Sequence, residues 1–219
     1  MALPTLVILL LGGLLLGATI SLTPGPILFL TIAETLARGK KAGMVVFFGM
    51  LLVDALIIIP MTLVLGSFMQ VEVIQQTVYL MGGVVLIVLG LLTLQGVWRG
   101  KQVDQSIISP AEPQVGVDPS SNVRSSFLKA VSTQIVNPLA FLFWVTVGLG
   151  QVQAVNNEVS GMGFLYPICF WFGFMSVFIF WVFLTASGRT FLSSRWYLGI
   201  QVVCAILLMI FGLSMWLQP

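Results

Sequence analysis

The chain has 219 residues, of which 58% are hydrophobic and 7% charged, with a net charge of +2 and no histidine. Soluble domains carry about 25% charged residues, so the 16 charged side chains here cannot build a water-facing surface. Lipid must cover most of the outside. The charge balance and the lack of any basic patch interleaved with aromatics argue against nucleic acid as a partner, and the missing histidine removes His metal ligands, general bases and pH switches.

In chain order, the N-terminal Met1-Ala2-Leu3-Pro4 lacks the basic region of a cleaved signal, so the apolar run from Leu6 reads as a first span. A spanning helix needs about 20 mostly apolar residues. Six segments qualify, at roughly 5–36, 42–66, 78–98, 126–150, 162–186 and 196–217. The expected fold is all-α, a polytopic membrane protein. The first segment's 32 residues would reach about 48 Å against a hydrocarbon core of about 30 Å, so it should bend, tilt or break. It holds Gly13-x-x-x-Gly17, a spacing that lets helices approach closely; contact within the chain is the first reading and a homodimer face the alternative.

The same segment contains Thr23-Pro24-Gly25-Pro26. Each proline lacks an N–H and clashes with the carbonyl four residues back, which frees the carbonyls of Ile20 and Leu22. Two prolines around a flexible glycine predict a broken helix. In the fourth segment, Asn137-Pro138 frees the carbonyl of Gln134. Unpaired backbone groups survive at membrane depth only where protein or a watery cavity satisfies them, so both breaks should face the interior.

Arg38, Lys40 and Lys41 lie between the first two spans, Arg99, Lys101, Arg124 and Lys129 around the third connection, and Arg189 and Arg195 in the fifth. All nine basic residues fall on one side, which the positive-inside rule makes cytoplasmic, with both termini outside. The polar stretch 99–125, with Pro110, Pro113 and Pro119, reads as a cytoplasmic linker between two three-helix halves, 1–98 and 126–219. Three spans per half put the halves in opposite orientations, the arithmetic of inverted repeats in secondary transporters.

Pro26 lies 12 residues from Arg38, Asp54 13 from Lys41, and Pro138 14 from Arg124. All three therefore sit about 18–21 Å inside the cytoplasmic boundary. Asp54 is the only acidic residue deep in a span; an Asp there costs about 2.5–3.5 kcal/mol and is a functional candidate by default. Glu34, four residues before Arg38, reads as half of a surface ion pair. The aromatics of the fifth span (Phe170, Trp171, Phe172, Phe174, Phe178, Phe180, Trp181) read as packing or lipid-facing surface, with an aromatic substrate pocket as the alternative, and Trp196, Tyr197 and Trp216 as an interfacial belt. Cys169 and Cys204 read as small hydrophobes outside any redox or metal spacing.

These features suggest one polar site. The helix starting at Pro26 offers free N–H groups, including those of Gly25 and Ile27, and a positive dipole end suited to a carboxylate. The carbonyls of Ile20 and Leu22, with Asp54, suit an ammonium; Gln134 and Asn137 can add hydrogen bonds. A zwitterion such as an amino acid satisfies both ends. Burial disfavours a charged carboxylate, so Asp54 can alternate between a proton and the substrate ammonium, which predicts proton antiport. With no P-loop present, the expectation is a carrier, not an enzyme, with no cofactor or metal. A divalent-cation exporter and a membrane thiol–disulfide electron carrier are the alternatives.

Residues 23–54, with Thr-Pro-Gly-Pro at 23–26, Arg-Gly-Lys-Lys-Ala-Gly at 38–43, Gly49 and Asp54, together with Gln-Ile-Val-Asn-Pro-Leu-Ala-Phe-Leu-Phe-Trp at 134–144, resemble the LysE/RhtB family of amino-acid exporters. The resemblance implies a six-helix carrier of the cytoplasmic membrane, often proton-coupled. It maps the family's motifs onto Pro24, Gly25, Pro26, Asn137 and Pro138 and its acidic residue onto Asp54. Many members carry Lys after the Asn-Pro pair, where Leu139 stands here.

Overall fold

The computed structural model describes residues 2–23, 25–65, 71–98, 123–187 and 195–217, with no strand among them. The helices are α1 (Ala2–Leu22), α2 (Pro26–Arg38), α3 (Lys40–Leu65), α4 (Glu72–Trp98), α5 (Val123–Ile135), α6 (Pro138–Glu158), α7 (Leu165–Ala186) and α8 (Arg195–Trp216). Five stretches are long and apolar enough to cross a membrane: Leu3–Leu22, Lys40–Val64, Glu72–Trp98, Pro138–Glu158 and Leu165–Ala186; Gln201–Trp216 is a shorter apolar helix. Leu3, Ile8, Leu56, Leu63, Val73 and Phe172 are 65–76% exposed. Water would not tolerate apolar side chains spread so widely over the surface, and the chain is a multi-pass membrane protein.

Both broken spans are present, and they are built alike. Gly25 is extended (φ −162°, ψ 172°), its carbonyl accepts from the Phe29 N–H at 3.1 Å, and Pro26 opens α2. Asn137 is likewise extended (φ −83°, ψ 100°), its Oδ1 accepts from the Leu139 N–H at 3.2 Å, and Pro138 opens α6. Proline fits the first helical position because its missing N–H has no partner there anyway. α2 turns into α3 through Gly39, whose φ of 85° favours glycine.

Several boundaries differ from the sequence reading. The fourth span continues past 150 to Glu158, because the polar run at its end pairs internally: Gln153 donates to Asn157 at 3.0 Å, and Asn156 Oδ1 accepts from the Gly161 N–H at 2.7 Å. Between Trp144 and Gly148 this helix widens into a π-helical turn, a device common at functional sites. α4 begins at Glu72 rather than 78, with Gln76 donating to Glu72 at 3.3 Å. Pro60 lies inside α3 without ending it. Residues 123–125 of the expected linker belong to α5. Pro24, the rest of the linker with Arg99, Lys101, Pro110, Pro113 and Pro119, Arg189, and the side chains of Arg195, Trp196 and Tyr197 lie outside the described residues.

Three helix pairs dominate the packing: α1 with α7, α3 with α5, and α4 with α8. Small residues set each crossing. A Cβ on Gly13 would stand 3.0 Å from the Tyr166 ring, one on Gly17 would overlap the Phe170 carbonyl, and one on Gly173 the Leu14 carbonyl. The Gly13-x-x-x-Gly17 face is thus used inside the chain. Gly49 meets Ala130 and the Phe127 carbonyl between α3 and α5, and Gly83 meets the Gly212 carbonyl between α4 and α8, where Trp216 also donates to the Leu80 carbonyl at 3.2 Å. On α7, Phe170, Phe174, Phe178 and Trp181 are buried, whereas Phe172 and Phe180 are exposed, so one aromatic face packs and the other faces outward.

Gly173→Val forces α1 and α7 apart. Overpacking of this kind costs about 1–3 kcal/mol or more, and at about 2–4 °C per kcal/mol the expected Tm falls by about 5 °C or more in detergent. Gly25→Ala should leave Tm unchanged, because its Cβ would meet nothing within 4 Å and its backbone is extended.

Candidate functional site

Asp54 sits midway along α3 and is 2% exposed. The crossing of Gly49 on Ala130 brings α3 and α5 together, and one further turn along both helices the Gln134 Nε2 donates to Asp54 Oδ1 at 2.7 Å. Asn137 Nδ2 in turn donates to Gln134 Oε1 at 3.4 Å, and the Asn137 N–H to the Gln134 carbonyl at 3.1 Å. A polar chain therefore runs from the buried carboxylate to the α5–α6 break. Among the described residues no ion pair reaches Asp54, so the one full hydrogen bond to it comes from a neutral amide.

Two tryptophans complete the surroundings. Trp144, at the start of the π turn, and Trp171, on α7, both direct their indole N–H groups toward the Asp54 carboxylate. The Trp171 Nε1 is buried and meets no acceptor at full hydrogen-bonding geometry, so its relation to Asp54 is electrostatic attraction at longer reach. The rings form a cluster with Phe143 and Phe170: Trp144 lies 5.7 Å from Trp171, 5.3 Å from Phe143 and 5.1 Å from Phe170 between centroids. The sequence offered Trp171 only as one of several aromatics of a possible pocket and gave Trp144 no role, because aromatic periodicity does not show the direction of an N–H.

The residues of the first break are placed differently. Ser21 and Ile27, on either side of it, are buried, and Trp181 Nε1 donates to the Ser21 carbonyl at 3.1 Å, fixing the end of α1 to α7. Ser21 Oγ is buried without a partner. The ring of Pro26 is exposed while its neighbours face inward; at the second break Ile135, Val136, Pro138 and Leu139 are all exposed, so that break, expected to face the interior, lies toward the outside and reaches the interior through Gln134. The Ile20 carbonyl, expected to be free, accepts from the Thr23 N–H at 3.0 Å, and the Gln134 carbonyl is engaged by Asn137; in each case the chain tightens its last helical turn before the break. Thr23 Oγ1 bonds back to the Thr19 carbonyl at 3.1 Å. Pro26 has no N–H to offer the Leu22 carbonyl. Among the described residues no hydrogen bond joins Thr23, Gly25 or Pro26 to Asp54. Leu139, which follows the Asn-Pro pair, is 39% exposed.

Glu34 is not half of a surface pair. It is 4% exposed and gathers Arg38 at 3.1 Å, Lys129 Nζ at 2.7 Å and Ser126 Oγ at 2.6 Å. Arg38 also donates to Ser125 and Ser126. The local spacing showed only the Arg38 partner; Ser126 and Lys129 come from α5. One face of α5 thus carries Ser126 on Glu34, Ala130 on Gly49 and Gln134 on Asp54.

An apolar groove between α3 and α6 is lined by Leu56, Ile57, Pro60, Met61, Val64 and Phe141 and offers nothing to a charged solute. Cys169 and Cys204 are both free thiols, and among the described residues no group of three or more His, Cys, Asp or Glu gathers to hold a metal.

Comparison with known families matches residues 18–218 to the LysE type translocator. No curated protein and no solved structure that was compared matches the chain. With that match covering all but the first turns of α1, over a helical membrane protein broken at both proline motifs, the chain belongs to the LysE type translocator family.

Proposed function

We propose that the chain is a secondary transporter that exports amino acids, or similar small zwitterions, across the cytoplasmic membrane in exchange for protons, as a carrier rather than an enzyme. The observation that carries this reading is Asp54: a carboxylate enclosed by the bundle, without a cation among the described residues, held by Gln134 beside a helix break. An unpaired buried carboxylate has two natural partners, a proton and a substrate ammonium. Gln134 serves both states. Its Nε2 donates to the carboxylate, and after an amide turn its Oε1 accepts from the carboxylic acid. The N–H groups of Gly25 and Ile27 and the Leu22 carbonyl remain the proposed contacts at the first break.

The packing supports six spans in two inverted halves. Gly13 and Gly17 meet Tyr166 and Phe170 in rising order, so α1 and α7 run parallel; Gly49 and Asp54 meet Ala130 and Gln134 in rising order, so α3 and α5 do too. Gly83 and Gly90 meet Gly212 and Ala205 in falling order, so α4 and α8 are antiparallel. Six alternating spans give these directions. A two-fold relation between the halves would exchange the α1–α7 pair with the α5–α3 pair and map the α4–α8 pair onto itself. With the basic residues cytoplasmic, the Glu34 cluster lies between the cytoplasm and Asp54, which makes this the conformation closed on that side.

The divalent-cation alternative fares worse, because a hard cation takes six or more oxygen ligands and Asp54 is met by N–H donors. The test is efflux from proteoliposomes loaded with a mixed amino-acid pool. A subset should leave, faster when the outside is acidified. Retention of the whole pool, or efflux indifferent to the gradient, contradicts the reading.

A further inference from the structure

A buried tryptophan N–H usually finds an acceptor, and a buried donor left without one calls for an explanation. Trp171 Nε1 is such a donor, and it lies beside the carboxylate proposed to hold a substrate ammonium. Its neighbour Trp144 is held in place by an unusual arrangement. The indole folds back over Gly148, at the other end of the π turn. A Cβ on Gly148 would overlap Trp144 Cε3, approach Cζ3 to 3.2 Å, and reach Ile58 Cδ1 at 3.4 Å. Ile58 stands one turn beyond Asp54 on α3, so glycine at 148 leaves room for the Trp144 indole beside the helix that carries the carboxylate.

Together these residues specify a ligand. Asp54 takes one cationic group. Trp171 takes one acceptor, and the cluster of Trp144, Phe143 and Phe170, whose ring centroids lie 5.1–5.3 Å apart, supplies an apolar wall. Arg38 and Lys129 are held at Glu34 and Lys40 sits over the Phe183 ring at 4.5 Å, so none of these three adds a second charge here. Among the described residues no ion pair reaches Asp54, so an acidic substrate side chain would lack a cation there and a basic one a second anion.

Resting on the proposed export of amino acids, we infer that Trp171 and Trp144 are specificity-determining residues, Trp171 donating to the substrate carboxylate and Trp144 bracing its side chain, so that the site selects neutral amino acids with apolar side chains. Gly148 is a positioning residue that acts through Trp144. The ammonium replaces the longer-reach indole contact at Asp54, and the freed Trp171 N–H turns to the substrate oxygen; no covalent bond changes.

The test is binding to the purified, detergent-solubilised protein, using leucine and phenylalanine against the amines with the same side chains, isoamylamine and phenethylamine. The wild type should prefer each amino acid over its amine by about tenfold, the factor for about one hydrogen bond to a charged group. Trp171→Phe should cut that preference severalfold, leaving what the Gly25 and Ile27 N–H groups contribute, and Trp171→Tyr, which keeps a donor, should restore part of it. Gly148→Ala should weaken both amino acids and, by displacing an indole, shift the intrinsic fluorescence. Should Trp171→Phe misfold, the Trp171→Tyr and Gly148→Ala results decide on their own. A wild type that binds glutamate or lysine instead of leucine overturns the selectivity, and a Trp171→Phe protein that keeps the preference in full overturns the assignment of Trp171. Loss of all four ligands in Asp54→Asn, with the tryptophan variants unchanged, would leave the export reading standing while this inference falls.

Discussion

Asp54→Asn should lower amino-acid efflux about a hundredfold while leaving the protein folded. Asn keeps the size of Asp and an oxygen that accepts from Gln134, which now donates at 2.7 Å, so packing is preserved. The charge is what goes. A charge-assisted hydrogen bond to a substrate ammonium contributes about 1.5–3 kcal/mol, and the upper end corresponds to a factor of about 100 in binding. The proton site disappears with it. Stability should hold or rise, because a carboxylate with no cation partner is costly to bury. Efflux measured beside the Tm of the same preparation checks both halves of the expectation. A folded Asp54→Asn protein that exports at the wild-type rate would remove the site.

Glu34→Gln should open the cytoplasmic side. Glu34 fixes Arg38 on its own helix and Ser126 and Lys129 on α5, and the same α5 face reaches Asp54 through Gln134. For solute to enter from the cytoplasm, α5 must part from α2. Breaking a buried ion pair costs about 3–5 kcal/mol; Lys129 is half exposed, and solvent screening reduces this to about 1–3 kcal/mol. The closed state should lose about tenfold or more in population. Val46, fully buried on α3 between Lys41 and Asp54, reports on this. With Cys169 and Cys204 replaced by Ser, Val46→Cys should react slowly with a membrane-impermeant maleimide from the cytoplasmic side, and about tenfold faster once Glu34→Gln is added. Equal rates would show that the cluster does not gate the path. The charge-swapped pair Glu34→Lys with Lys129→Glu should recover part of the protection.

How much of this was legible in the sequence depends on the range of each interaction. The breaks at Gly25-Pro26 and Asn137-Pro138 follow from local chemistry, since no neighbour can supply proline with an N–H. Asp54 and Gln134 were also legible, because only a buried acid and a break at one depth are needed to propose that they meet. The carbonyls of Ile20 and Gln134 were misjudged for a local reason: the residues just before each proline close a tight turn onto them. Glu34 was misjudged for a distant one. Its partners Ser126 and Lys129 lie 92 and 95 residues away, and i,i+4 spacing cannot show them. Trp144, and the N–H of Trp171 within its possible aromatic pocket, were hidden because hydropathy counts a ring and ignores where its N–H points. The π turn that seats Trp144 on Gly148 changes helix phase by a residue, and Pro60 sits within an otherwise unbroken apolar run; neither leaves a mark on the periodicity.

The central claim, that one carboxylate trades a proton for a substrate ammonium, can be read from proton movement itself. Proteoliposomes enclosing a pH-sensitive dye, given a neutral amino acid outside and no other gradient, should lose internal protons as the amino acid enters, and Asp54→Asn vesicles should show neither flux. Uptake of amino acid by the wild type with internal pH unchanged would contradict the account.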